Sequence, residues 1–386
     1  MIINSADRLS KTEEYYFSVK LKEIAGLRKK GHQVVNLGIG SPDLPPDEGI
    51  IEELKTAADS SVAHGYQSYQ GIPELREAIS AYCEKYYSTN FDPATEILPL
   101  IGSKEGIMHI SMAFLNPGDH VLIPNPGYPT YRSVSQLLQC KISNYALDEN
   151  NQWNIDIEAL RNFPLDEVKI LWLNYPNMPT GVAPNKSIIQ KLIGLAAKHK
   201  FLIINDNPYN QLFASPAFSI FQFEGAREVA IELNSMSKSH NMAGWRLGWV
   251  SAEKDYINTI LKVKSNMDSG MFQPIQKAAI KALSLTDEYH DQQRKLYQER
   301  RAVASKIFDE LNCSYSSQEG MFLWAKIPDN IDSAESFVDN LLMKAGVFIV
   351  PGFIFGSNGR RYLRISLCAT TDVLQDALQR IKSATL

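Results

Sequence analysis

The residues best placed for chemistry fall in four short segments. In Asn234-Ser235-Met236-Ser237-Lys238-Ser239-His240-Asn241-Met242-Ala243-Gly244-Trp245-Arg246-Leu247-Gly248, two cations stand eight residues apart among small residues and glycines. Asp206-Asn207-Pro208-Tyr209 follows the apolar run FLIIN, so a turn can bring a carboxylate and a phenol to one ligand. Gly102-Ser103-Lys104-Glu105-Gly106 opens a helix pattern that runs to Leu115, and a helix start with free N–H groups suits a phosphate. Tyr175-Pro176-Asn177-Met178-Pro179-Thr180-Gly181 is a rigid, proline-framed loop after KILWLN. Taken singly, each is more often structural than functional, and a lone lysine is usually a solvated surface residue. Their order and spacing are far more specific.

All four lie just beyond apolar runs, where ligands gather in open parallel sheets. Short β-branched and aromatic runs (VLIP at 121, KILWLN at 169, FLIIN at 201, VAIEL at 229) alternate with helical patterns such as SIIQKLIGLAAKH at 187. That alternation predicts an α/β fold with a mostly parallel sheet over residues 46–285. Ahead of it, Ser10 and Glu13 at capping-box spacing start an amphipathic helix through Leu27 that stops at Gly31 and precedes a strand-like VVNLGI. Gly40-Ser41-Pro42-Asp43 with the prolines at 45 and 46 then breaks regular structure. The last hundred residues pair a long charged helix near 285–311 with FLWAKIP, VFIVPG and YLRISL. They predict a smaller α+β domain made of residues 1–45 and 286–386.

A chain of 386 residues is long enough for two packed cores. With 39 basic against 43 acidic residues and no long run of either sign, it does not look like a nucleic-acid or membrane-surface protein. No apolar stretch reaches membrane-spanning length, and the start MIINSADRLSKTEEYY is polar where a signal peptide needs an apolar region, so a cytoplasmic location is expected. Cys83, Cys140, Cys313 and Cys368 are widely scattered and read as reduced thiols. None of the seven histidines has metal-ligand spacing, so no metal is expected. Gly38 and Gly40 imitate a dinucleotide fingerprint, but Ser41-Pro42-Asp43 follows where the third glycine and a helix belong.

From its N-terminal helix to the final ALQRI, the chain resembles the class I/II aminotransferases of the fold-type I pyridoxal-phosphate superfamily. The resemblance implies a large domain with a mostly parallel seven-stranded sheet between helices. It implies that Lys238 holds pyridoxal 5'-phosphate as a Schiff base and carries the proton of the reaction, with Ser235 and Arg246 on the cofactor phosphate. By the same match, Asp206 would face the pyridine nitrogen and Tyr209 the phenolic oxygen. Ser103 and Lys104 would form the phosphate-binding turn, while Tyr128 of NPGYPTY would stack on the ring. Tyr66 of GYQSYQG matches a tyrosine lent by a neighbouring subunit, which implies a homodimer. Arg364 of YLRISL matches the clamp on the substrate α-carboxylate, with Gly40 the backbone donor beside it; Arg360 and Arg361 read as solvated.

These residue types suit an amino-group transfer from an L-amino acid to a 2-oxo acid such as 2-oxoglutarate. The cofactor is the electron sink and the protein positions and tunes it; a carboxylate at Asp206 keeps the ring nitrogen protonated. The same constellation also supports a carbon–sulfur β-lyase, since substrate orientation selects the bond broken. A non-catalytic ligand sensor would need an added DNA-binding region that this length does not leave. Ser265-Asn266-Met267-Asp268-Ser269-Gly270-Met271-Phe272-Gln273 resembles the corresponding stretch of LL-diaminopimelate aminotransferases more than that of aspartate enzymes; aspartate and alanine remain open donors. Tyr15 and Tyr16 are candidates to cover a side-chain pocket that the sequence does not define. One departure stands out: Met178 occupies the place of the family's usual asparagine, leaving Asn177 or Asn174 as substitutes. Without that donor the Schiff base should hold its proton to higher pH. Titration of the visible band is expected to give a pKa above neutrality, and an ordinary neutral-range value would count against this reading.

Overall fold

The computed structural model describes residues 3–10, 16–212, 217–316 and 318–385. Glu13 and Tyr15 lie outside the described residues, so the capping box at Ser10 has no structural counterpart to report. The first long helix is described over Tyr16–Lys29 and buries Lys20 and Ile24. Gly31, at φ 90°, lies just beyond its end, a conformation that glycine adopts without strain. The strand expected in VVNLGI is shorter than its apolar run, with only β1 (Val35–Asn36) formed.

Seven strands build the main sheet. These are β2 (Ile97–Leu100), β3 (His120–Asn125), β4 (Lys141–Ala146), β5 (Val168–Leu173), β6 (Leu202–Asn207), β7 (Ala230–Ser235) and β8 (Gly248–Ala252). Their order is β2-β8-β7-β6-β5-β3-β4, and β8 alone runs against its neighbours. β5 and β6 are continuous apolar runs because both sheet faces are covered. Ile170 and Trp172 pack with Ile107, Ile110, Ile257 and Ile260 on one side. Leu171 and Leu173 pack with Ile189, Leu192 and Ile193 of the helix Lys186–His199 on the other. The edge strand β4 is mostly exposed, so KISNYA lacks the apolar signal of the central strands. β2 and β8 were likewise not apparent as separate runs.

β7 and β8 are antiparallel neighbours, which need only a short reversal between them rather than a crossover helix. The chain from Met236 to Leu247 makes that reversal and carries Lys238 and Arg246. Because β2, β3, β5, β6 and β7 all point the same way, their carboxyl ends deliver residues to a single side of the sheet.

The C-terminal part forms an antiparallel sheet of β9 (Phe322–Lys326), β11 (Val350–Pro351) and β12 (Tyr362–Ser366), with β12 central. β10 (Val347–Phe348) pairs in parallel with β1, which ties the N-terminal segment to the last hundred residues. The long charged helix is Asp287–Glu310. From it the buried guanidinium of Arg300 donates to both carboxylate oxygens of Asp43, at 2.7 and 2.8 Å, and to Leu367 O at 3.0 Å. Arg361 is a third exposed, so it is solvated only in part; it also donates to the carbonyls of Pro328 and Ile331. All four cysteines are free thiols, and no helix among the described residues is long and apolar enough to cross a membrane.

Removing the Asp43 carboxylate leaves a buried guanidinium without its counter-charge, a change that costs about 3 kcal/mol. Asp43→Ala is therefore expected to lower the urea midpoint markedly, whereas Asp43→Asn, which keeps one acceptor, should lower it less; equal midpoints for wild type and Asp43→Ala would contradict this.

Candidate active site

The carboxyl ends of β2, β3, β5, β6 and β7, the N-terminal helix and β12 enclose a cavity of about 820 Å³. Its wall contains Gly40, Ser103, Lys104, Tyr128, Asp206, Tyr209, Ser235, Lys238, Arg246 and Arg364, ten residues singled out from the sequence. Two others are not brought to it. Tyr66 is 94% exposed on the surface. Asn177 is buried inside its own loop, where it donates to Asn174 O at 3.2 Å and accepts from the Thr180 hydroxyl at 2.7 Å.

Asp206 is the penultimate residue of β6 and is buried. Its Oδ2 accepts from the Tyr131 hydroxyl at 2.8 Å, and its Oδ1 has no partner among the described residues. Burial pushes its carboxyl up from 3.8 to about 6, while the Tyr131 hydrogen bond acts in the opposite direction. Tyr131 is itself held by stacking on Trp172, with ring centroids 4.8 Å apart. Asn174, beyond β5, donates to Asp206 O at 2.6 Å and accepts from Met178 N at 2.9 Å.

Lys238 lies in the turn Met236–Ser239, which Ser235 caps by accepting from Ser237 N. Its ammonium donates to Gly40 O. Burial lowers its pKa, the nearby Arg364 and Arg246 lower it further, and the Cys368 thiol opposes them. A lysine held in this way reaches the neutral, nucleophilic state more readily. Burial pushes the Tyr209 phenol up against the opposing pull of Arg364, so the phenol stays protonated as a donor at neutral pH.

The phosphate-type end is equally specific. Ser103 begins a twelve-residue helix whose N-cap, Gly102, offers no side-chain cap. Gly102 has φ 85°, and a Cβ there would strike the Arg246 guanidinium, so only glycine lets the cation close over the uncapped amides. Tyr128 stands at the N-cap position of the next helix, Pro129–Leu137, without capping it through its side chain, and its ring meets Tyr131 edge-on at 5.6 Å.

At the opposite end, Arg364 of β12 is 5% exposed and donates to Gly38 O at 2.7 Å. Phe322 and Phe355 lie 4.2 and 4.7 Å from its Cζ, a collar that dries the guanidinium and strengthens its pull on an anion. Met178 Sδ is 3.5 Å from it.

Several wall residues were not found by sequence reasoning. Tyr131 stands three residues after Tyr128 on the same helix, a spacing that could have signalled it. Asn174, at the end of KILWLN, is by contrast one of the two asparagines the sequence offered in place of the one missing at Met178, and it lines the wall. Phe17, Phe322 and Phe355 come from distant segments and carry no such signal.

Glu105, His109 and Asp268 place one ligand-type atom each within 4.8 Å of one another, a grouping also not apparent from spacing. The buried Lys264 ammonium lies 2.9 Å from Asp268 and supplies positive charge there.

A raised carboxyl pKa ties proton uptake to folding. The contribution of Asp206 is full below about pH 4 and is lost as pH rises through about 6. The interval from 3.8 to about 6 corresponds to at most about 3 kcal/mol. In the cofactor-free protein, Asp206→Asn is expected to flatten the fall in urea midpoint between pH 4 and 7.5; parallel profiles for variant and wild type would refute this.

A model of the family described as aminotransferase class I and II matches residues 32–381. The LL-diaminopimelate aminotransferase of Aquifex aeolicus is 37% identical over 384 residues, covering 99% of each chain. That of Dehalococcoides mccartyi is 37% identical over 377 residues, covering 97% of each. Among solved structures, substrate-bound BacF from Bacillus subtilis matches with a TM-score of 0.94 at 33% identity, over 99% of this chain and 98% of that one. A probable N-succinyldiaminopimelate aminotransferase from Thermus thermophilus matches at 0.89 and 31%, over 95% and 99%. The chain thus belongs to the class I and II aminotransferases, pyridoxal-phosphate-dependent enzymes of fold type I that move an amino group between an amino acid and a 2-oxo acid.

Proposed function

We propose that Lys238 binds pyridoxal 5'-phosphate covalently and that the cavity transfers an amino group from an L-amino acid to 2-oxoglutarate. The observation that carries this reading is the buried Oδ1 of Asp206, a cavity-wall carboxylate oxygen with no partner among the described residues. A protonated ring nitrogen supplies the cation such an oxygen requires. The uncapped amides at Ser103 and Lys104, with Arg246 and Ser235 beside them, fit a dianionic phosphate.

When bound, the cofactor supplies the electron sink for the carbanion formed at the substrate. Asp206 keeps the proton on the ring nitrogen, and Tyr131 holds Asp206 in place. Tyr209 donates to the phenolic oxygen, with Asn174 the nearer asparagine and Asn177 supporting its loop. Tyr128 covers a ring face. Arg364 and Gly40 seat the α-carboxylate and fix which substrate bond points at Lys238, and the Lys238 amine then moves the proton.

Residues 46–285 are read as the unit that holds the cofactor, with 1–45 and 286–386 as the smaller unit; the β1–β10 pairing supports this division. We further infer a cytoplasmic homodimer that shares Tyr66. Supporting it, Val62, Tyr66, Tyr69, Met267 and Phe272 are exposed, and Gly270 packs against the backbone of Gln67 and Ser68, which gathers the two segments into one apolar surface. The names of the relatives make LL-diaminopimelate the first donor to test, beside aspartate and alanine.

The purified protein is expected to show a pH-dependent visible band that Lys238→Ala abolishes. An amino acid should convert that band, and 2-oxoglutarate should restore it. Arg364→Ala should raise KM for both substrates roughly tenfold to hundredfold. Release of pyruvate or ammonia without this exchange would favour the β-lyase, and the absence of a lysine-dependent band would refute the assignment of Lys238.

A further inference from the structure

The turn after β3 carries Tyr128, the turn between β11 and β12 carries Phe355, and one buried asparagine fastens the two together. Asn125, the last residue of β3, is 7% exposed. Its Nδ2 donates to Ser357 Oγ at 2.8 Å, and its Oδ1 accepts from Asn358 N at 3.1 Å. Backbone bonds run alongside: Gly127 N donates to Phe355 O at 2.8 Å, and Leu147 N donates to Asn125 O at 2.8 Å. Asn358 Nδ2 then donates to Leu147 O at 3.2 Å, which closes a ring of contacts. Gly356 has φ 136°, and a Cβ there would strike Asn125 Oδ1, so glycine is what lets the two turns approach.

The rings that these turns present both border the main cavity. Phe355 belongs to the collar around Arg364, and Tyr128 is the ring that covers the cofactor in the reading above. Both also border a second cavity of about 330 Å³. A ring that meets open space on two sides is held less by packing than by the backbone that carries it. Asn125 lines the smaller cavity and not the main one, so it reaches a ligand only through these turns. An amide suits that task because it donates from one atom and accepts at the other.

We propose that Asn125 is a positioning residue for the reaction. Through the two turns it fixes the separation between Tyr128, on the cofactor ring, and Phe355, on the Arg364 clamp, so that the cofactor seat and the carboxylate seat are set together. The proposal rests on the aminotransferase reading above and adds to it a coupling between two seats by a residue that touches neither ligand.

Two readouts on the cofactor-loaded protein test this. The ellipticity of the visible band reports how the ring is seated, and conversion of the pyridoxamine 5'-phosphate form by 2-oxoglutarate gives a dissociation constant for the carboxylate seat. Asn125→Ala is expected to reduce the ellipticity and to weaken 2-oxoglutarate binding about tenfold, as the loss of buried hydrogen bonds predicts. Asn125→Asp keeps two acceptors, which Asn358 N and the Ser357 hydroxyl can both satisfy, and should recover most of each loss. Ser357→Ala, on the exposed side of the same contact, should move both readouts in the same direction and replaces Asn125→Ala should that variant fail to fold. Phe355→Leu should weaken 2-oxoglutarate binding in the wild-type background and add little to Asn125→Ala. Unchanged readouts in Asn125→Ala and Ser357→Ala, a change in only one readout, or additive effects with Phe355→Leu overturn the proposal while the wild-type band leaves the aminotransferase reading standing. A wild-type protein with no Lys238-dependent band, or none that 2-oxoglutarate restores, overturns both.

Discussion

One carboxyl group held away from water governs the site. Asp206 sits near the end of a strand buried on both faces, and its burial raises its pKa to about 6 against the opposing Tyr131 hydrogen bond. An isolated carboxylate in such a place is costly unless a positive partner arrives. The protein provides half of the answer, a phenol from Tyr131 braced on Trp172, and leaves the second oxygen toward the cavity. Ligand binding is favoured because the fold has already borne the desolvation. The same burial also makes the cofactor-free protein sensitive to pH.

Around that point the chain uses the segment 36–43 as a seam. Gly38 O accepts from Arg364, Gly40 O accepts from Lys238, and the Asp43 carboxylate pairs with Arg300. These three cations come from β12, from the β7–β8 reversal and from the long helix, and the seam holds them in register through backbone carbonyls and one carboxylate. The glycines are required here for closeness rather than flexibility: a Cβ at Gly38 would overlap Phe348 and Val350, and one at Gly40 would overlap Phe322.

The two ends of the cavity follow different physics. At the phosphate-type end, uncapped helix amides and Arg246 act through charge and direction. At the other end, Arg364 lies in an aromatic collar where the local dielectric is low, which would strengthen its hold on an anion. Between them the N-terminal helix adds an apolar wall. With Lys20 and Ile24 its buried residues, its other side chains are available to line the cavity or face solvent.

Much of this was legible in the sequence because it depends on local spacing. The apolar runs that became β3, β5, β6 and β7 are continuous since both sheet faces are covered, and the residues just after them, Ser235, Lys238, Asp206 and Tyr209, therefore had to emerge together at one edge. The helix start at Gly102 and the arginine eight residues after the lysine were legible on the same grounds. The tertiary structure alone decided the rest. β4 and β8 lack a long apolar signature, one being an exposed edge and the other short. Asn174 rather than Asn177 reaches the wall because the proline-framed loop turns Asn177 onto its own backbone. Arg361, which reads as a surface residue, is taken up by the carbonyls of Pro328 and Ile331. The seam at 36–43 arises from contacts between residues hundreds of positions apart, and local sequence carries no record of such contacts until the chain has folded.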